Sequence, residues 1–229
     1  MDVRNKGSSH AFLLLALMPI AKFMHPVPRM HSILDARLFH QCLDVVLEPL
    51  KQAARIGRMM SDPVGNIRYC FTPLVSYIVD TPEACMLACV HNNTSPVTTA
   101  TYKEFGDPQR HPPCTSATTM CQLASIECDF LDVDEFFAKC EQLQLSGVSH
   151  PFWRNWLHAE PYQFLTPKSL HEWHRKFWDH DVRWCIQALG AAELDFHFSI
   201  LPLITGLHHF SAGITKLKQV GGRAQRDIQ

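Results

Sequence analysis

The stretch HEWHRKFWDHD, residues 171–181, places three histidines and two aspartates within eleven positions. Imidazoles and carboxylates at this density can ligate a metal, move protons or line a core. On a helix His171 and His174 form an i, i+3 pair that could share one metal ion completed by ligands from elsewhere. His174 and Asp181 fall on the same face, but seven residues separate them, about 10 Å along the axis at 1.5 Å per residue. They cannot pair directly. The zinc-protease pattern HExxH is not met, because the text is HEWHR and the second histidine comes one residue early. Three readings stay open: a packed aromatic helix with His174 hydrogen-bonded inside and His180 near the surface, a two-histidine metal site, and general acid–base chemistry. The first needs no further group.

Asp80 is the second candidate. It ends the run LVSYIVD and precedes TPEACMLACV. A carboxylate at the end of a buried strand, opening a helix, is where α/β folds hold catalytic and metal-binding acids. It is equally where an N-cap sits. A metal nuclease needs further carboxylates around its ions, and the residues alone name no second acid that must meet Asp80.

The elements that would position these residues follow from periodicity. AFLLLALMPIA (11–21) reads as a buried strand over 11–20, with a signal peptide as its rival: Arg4 and Lys6 precede it, but no small-x-small cleavage site follows directly. It is also too short for a membrane span. DARLFHQCLDVVL (35–47) reads as a helix with Leu38, Phe39, Cys42, Val45 and Val46 inward and Pro49 interrupting it. SDPVGN (61–66) is a turn. RYCFTPLVSYIVD (68–80) contains a central strand. Residues 91–119 form a long loop with short helical pieces. Residues 132–144 form a helix with Val133, Phe136, Phe137, Cys140 and Leu143 inward. Residues 151–165 are aromatic-rich and broken by Pro161. The longest helix spans 167–189, with Leu170, Trp173, His174, Phe177, Asp181, Trp184, Cys185 and Ala188 on one face. LDFHFSI (194–200) alternates and favours a strand, although a helix competes.

Composition bounds the rest. The chain has 229 residues, 46% hydrophobic and 19% charged, which suits a protein that buries a core. A net charge of −1 gives no overall basic field for nucleic acid, so DNA binding would need a local Lys/Arg patch, around 50–58 or 216–226. Nine cysteines without a CxxC argue against a disulfide framework and against an ordinary structural zinc site. Small buried thiols in a reducing compartment, nuclear or cytoplasmic, are the expectation.

Several longer runs then resemble one family. SHAFLLLALMPIAKF, the stretch from LFHQCLDVVLEPLKQAARIGRMMSDPVGNIRYCF through TPLVSYIVDTPEACMLACV, GVSHPFWRNW and EPYQFLTPKSLHEWHRKFWDHDVRWC are similar to the Plavaka transposases of the Kyakuja–Dileera–Zisupton group of fungal DNA transposons. The resemblance implies an α+β, helix-rich fold: a partial ribonuclease H-like core over 1–90, then a helical insertion and the C-terminal part of the core over 91–229. It implies DNA as partner, no membrane, and an Asp–Asp–Glu triad holding two Mg²⁺ in intact relatives. Asp80 in SYIVDTPE matches the second acid. The first is expected on a strand before the segment that begins here. The third acid matches Ala224, where the family pattern TGREHRDIQ reads GGRAQRDIQ. TSPVT (94–98) stands where relatives carry a cysteine pair. The expectation is therefore a truncated, catalytically incomplete chain that binds no Mg²⁺, or a domesticated DNA- or protein-binding module, or a piece of a longer active enzyme.

Overall fold

The structure is a computed structural model that describes residues 14–62, 64–168, 176–217, 224, 227 and 228. The chain forms two compact units: residues 1–77 with 81–166, and residues 78–80 with 167–229.

The first unit opens with α1 (Pro28–Val46) and α2 (Glu48–Ile56). Pro28 and Pro49 lie in the first turns of these helices, where a missing N–H removes no helical bond. Pro49 therefore starts α2 instead of only ending α1. An antiparallel hairpin follows, β1 (Arg58–Ser61) and β2 (Ile67–Cys70), in register from Arg58 opposite Cys70 to Ser61 opposite Ile67. Its turn is built on Asp62. The Asp62 carboxylate accepts from the Val64 and Asn66 amides at 3.0 and 2.9 Å, and its carbonyl accepts from Gly65 at 3.0 Å.

β3 (Tyr77–Val79) pairs with β4 (Leu165–Pro167) in a second two-stranded sheet, and α3 (Thr81–Ala88) follows Asp80. After a loop come α4 (Ser116–Ala124), α5 (Val133–Gln142) and α6 (Pro161–Phe164). Thr115 and Asp132 cap α4 and α5 by accepting from Thr118 and Glu135 amides, each at 3.1 Å. Glu160 also accepts from the Ser116 amide at 2.7 Å, a carboxylate at the positive end of α4.

α3 and α5 end alike. Val90 N–H reaches back to Cys85 O and Cys89 N–H to Met86 O; Leu145 N–H reaches Cys140 O and Gln144 N–H reaches Glu141 O. Both are Schellman ends, closed by non-glycine residues, Cys89 at φ 63° and Gln144 at φ 59°. The two ends are tied together: His91 N–H donates to Gln144 O at 2.8 Å and Ser146 N–H to Cys89 O at 3.0 Å. These bonds offset the left-handed backbone at both positions. Leu123, Phe136, Cys140 and Leu145 pack as one apolar cluster, and Met30, Ile33 and Phe137 as another.

In the second unit a π-helical turn (Phe177–Val182) runs into α7 (Arg183–Leu189), and α8 (Ala191–Ser199) follows Gly190. Val182, Leu194, Phe210, Ile214 and Ile228 make its apolar cluster. Asp195 ties down the segment at Ile214 and Thr215, accepting from their amides at 2.7 and 2.8 Å.

Several sequence expectations are corrected. Residues 14–20 of the apolar run have no regular structure and face solvent, with Ile20 97% exposed, so the described part is not a buried strand. Of RYCFTPLVSYIVD, Arg68–Cys70 and Tyr77–Val79 are strand and residues 71–76 are not. Neither strand is central, since each described sheet has two strands. Residues 194–200 are helical to Ser199, because Leu194 and Phe198 fall on one helical face and both pack into the apolar cluster. Pro161 begins α6. Of the expected 167–189 helix, Pro167 belongs to β4, and over residues 177–189 the inward residues are Val182, Phe177, Trp178 and Ile186, whereas Asp181, Trp184, Cys185 and Ala188 are exposed. A π turn uses more residues per turn than an α turn and rotates the register.

Candidate functional site

The polar residues that the structure gathers most tightly lie on the inner face of α1. Met30, Ile33, Arg37, His40, Asp44 and Leu47 recur at three and four residues, the spacing of one helical stripe. Met30, Ile33, His40 and Leu47 are buried and Arg37 and Asp44 half-buried, so three polar side chains occupy the middle of a core-facing stripe.

Asp44 is the hub of an ionic network. Lys51, from α2, is 1% exposed and donates its ammonium to Asp44 Oδ1 and, at 2.9 Å, to Asn155 Oδ1. Arg154 Nη2 donates to Asp44 Oδ2 at 2.7 Å, and Arg154 Nη1 to Pro151 O at 2.9 Å. Burial pushes the Asp44 carboxyl up, but the hydrogen bonds from Lys51 and Arg154 outweigh it and hold the group below the ordinary carboxylate range. One carboxylate thus serves two cations drawn from distant segments.

His40 is completely buried. Phe152 N–H donates to its Nδ1 at 3.1 Å, so Nδ1 is the acceptor and Nε2 carries the proton, which it donates to Met86 O at 3.0 Å. Both nitrogens are satisfied in the neutral ring. Burial is the main reason its pKa falls to about 4, against a smaller upward pull from the Met86 bond. His40 thereby joins α1 to the end of α3 and to the 151–156 turn, where Trp153 Nε1 donates to Leu87 O at 2.7 Å and Trp156 Nε1 to Thr72 O at 3.1 Å.

Arg37 is fixed from two sides. Its Nε donates to Gly147 O at 2.8 Å and its Nη1 to Phe130 O at 2.6 Å, and its guanidinium lies 5.1 Å from the Phe136 ring centre. Gly147 sits at φ 90° with Ile33 and Phe137 3.0 Å from where a Cβ would stand, so a larger residue would have to displace this anchor.

Asp80 stands where the sequence places it, between β3 and α3, and is half-buried. Val79 O beside it accepts from Lys168 N–H at 2.8 Å. His171 and His174 lie outside the described residues. His180 is exposed, as expected, with its ring 5.9 Å from that of Trp184. Ala224, the position matched to the third acid, packs against the apolar cluster of Val182, Leu194, Phe210, Ile214 and Ile228. Two Mg²⁺ ions require several carboxylate oxygens around them. Among the described residues no group of three or more His, Cys, Asp or Glu converges to hold a metal ion, so they do not fit the metal pair that the resemblance implies.

All nine cysteines are free. Burial raises the thiols of Cys85, Cys89 and Cys140, the last to about 11, which leaves them protonated and poor nucleophiles. Of the two basic stretches, the one at 50–58 loses Lys51 to the Asp44 pair, while Arg55 and Arg58 are exposed. No described helix is long and apolar enough to cross a membrane.

The sequence reading missed the α1 network because it counted apolar residues only. Its signal was nonetheless present: Arg37, His40 and Asp44 continue the spacing of Met30 and Ile33 and run on to Leu47.

No match was found to a curated protein or to a solved structure. The Plavaka transposase family matches residues 1–185 of the 229. That span includes all of α1 to α6, the Asp80 junction, the α1 network and the HEWHRKFWDHD stretch, and it ends within α7. With most of its length matched, this chain belongs to the Plavaka transposase family.

Proposed function

We propose that this chain is a transposase-like protein that neither cuts nor joins DNA by itself, with Asp80 the relic of an acidic metal site. The observation that carries the reading is the setting of Ala224. The position matched to the third acid holds a half-buried methyl group packed against an apolar cluster, and a methyl group offers no oxygen to a metal ion. In this reading residues 1–90 form a partial ribonuclease H-like core with Asp80 between β3 and α3, residues 91–229 hold the helical insertion and the C-terminal part of that core, and the protein works in the nucleus or cytoplasm. Phosphodiester cleavage by paired Mg²⁺ needs one ion to activate water and another to stabilise the leaving oxygen. With alanine in the place of the third acid, the ion pair loses one of its carboxylates. His171 and His174, in the HEWHRKFWDHD stretch, are the alternative ligand pair.

A second reading, a DNA-binding module without nuclease activity, draws on exposed Arg55 at the end of α2 and on Arg58 and Arg68, exposed on the β1–β2 hairpin. One experiment addresses both. Supercoiled plasmid is incubated with the purified chain in Mg²⁺ or Mn²⁺, and its retention on filters is followed over increasing salt. The expected result is no nicking. Metal-dependent nicking that disappears in Asp80→Ala would overturn the first reading. Retention that weakens steeply with salt supports the module, since released counterions drive such binding; no retention at low salt eliminates it.

A further inference from the structure

A cleft of about 450 Å³ opens beside the α1 network, lined by Arg37, Gln41, Asp44, Phe130, His150 and Arg154 among others. Its volume lies in the range of small-molecule sites, roughly 300–1,000 Å³. Its charge is unbalanced. Among the described lining residues Asp44 is the one carboxylate, and both of its oxygens are already engaged, one by Lys51 and one by Arg154. Arg37 has no carboxylate partner among them. Two carbonyls hold its guanidinium still, and its Nη2, covered from solvent, finds no protein acceptor. The Arg37 charge therefore stands in the cleft wall without a counter-charge of its own.

The remaining wall supplies more donors. His150 is exposed, its ring edge-on to Phe130 with centres 5.0 Å apart, and its Nδ1 lies 2.9 Å from Ser149 Oγ. Burial, then the charges of Arg154 and Arg37, lower the His150 pKa, which favours the neutral ring. The cations come from α1 and from the 149–154 turn, so they approach a ligand from different directions. A flat carboxylate uses one planar fork, whereas a tetrahedral oxyanion offers oxygens to several donors at once.

We propose that this cleft is an oxyanion site that takes a phosphoryl group, held by Arg37 and Arg154 with His150 at its rim. The site is independent of Asp80 and of the reading of the chain as catalytically incomplete. The phosphoryl group can come from a DNA backbone or from a free phosphorylated molecule, and the two differ in what competes.

The test is equilibrium dialysis of radiolabelled inorganic phosphate against the full chain at constant ionic strength. The expected result is saturable binding of one equivalent, weakened at least tenfold in Arg37→Gln and in Gln41→Glu. Gln41 is exposed on α1, so Gln41→Glu sets a carboxylate at the cleft without removing any contact of the fold. A short unphosphorylated duplex that displaces phosphate identifies the backbone as the source; displacement by a nucleoside monophosphate but not by the duplex identifies a free ligand. Phosphate that does not saturate, binding unchanged in Gln41→Glu, or displacement by acetate as readily as by phosphate would overturn the proposal.

Discussion

Replacing Asp44 with alanine is expected to destabilise the chain by about 3–5 kcal/mol, the range for removing one partner of a buried ion pair. The effect comes from Lys51. Its ammonium is 1% exposed and would keep only the neutral Asn155 oxygen as acceptor. Arg154 suffers less because it is partly exposed and retains the Pro151 carbonyl. Urea denaturation of Asp44→Ala against the parent measures the loss. The double variant Asp44→Ala with Lys51→Met removes the stranded charge and should recover most of it, since an apolar side chain suits the buried site. A cost below about 1 kcal/mol, the level of a surface pair, would mean that Lys51 reaches water.

Acid is expected to destabilise the protein through His40. Its folded pKa, about 4, lies below the ordinary value of 6.5. Between those values the unfolded chain holds the extra proton, so stability rises with pH across the window and is lost as pH falls from 6.5 towards 4. The shift corresponds to about 3 kcal/mol at roughly 1.4 kcal/mol per pH unit. Below the folded pKa no further loss comes from this group. Protonation would set a second N–H against the Phe152 amide that now donates to Nδ1. Asp44, whose pKa is lowered, also loses stabilisation as pH falls through its folded value. The His40 share is therefore isolated by comparing the parent with His40→Gln in denaturant melts at pH 7 and pH 4. The parent should lose about 3 kcal/mol more than the variant. Equal losses would show that His40 is not held neutral.

The sequence was most legible where local chemistry and tertiary packing agree. α5 lies close to its expected range, with Phe136, Phe137 and Cys140 inward and Asp132 as its cap. The SDPVGN turn and the order strand, Asp80, helix also stand as read. Legibility failed where apolar periodicity and burial diverge. Val45 is apolar yet 72% exposed, while Arg37, His40 and Asp44 turn to the core, where they bond to partners between residues 51 and 154. Apart from Lys51, seven residues from Asp44, those partners are remote in sequence, and no local window contains them. The face of the 177–189 segment was misplaced because a π turn shifts every later side chain. LDFHFSI was misread because an i, i+4 pair, Leu194 and Phe198, is hidden in an apparent alternation; the helix leaves Phe196 56% exposed.

For function, the residues quoted from the chain carried the family resemblance, and the family match agrees with it. The resemblance also named Asp80 and Ala224, whose surroundings frame the proposal that the metal-ion chemistry is incomplete. That proposal reduces to a count of bound ions. Titration of Mn²⁺ into the full chain, followed by the loss of the free-ion electron paramagnetic resonance signal, reads the count directly. The account predicts no stoichiometric uptake and no difference between the parent and Asp80→Ala. Uptake of two Mn²⁺ per chain, abolished by Asp80→Ala, would contradict it.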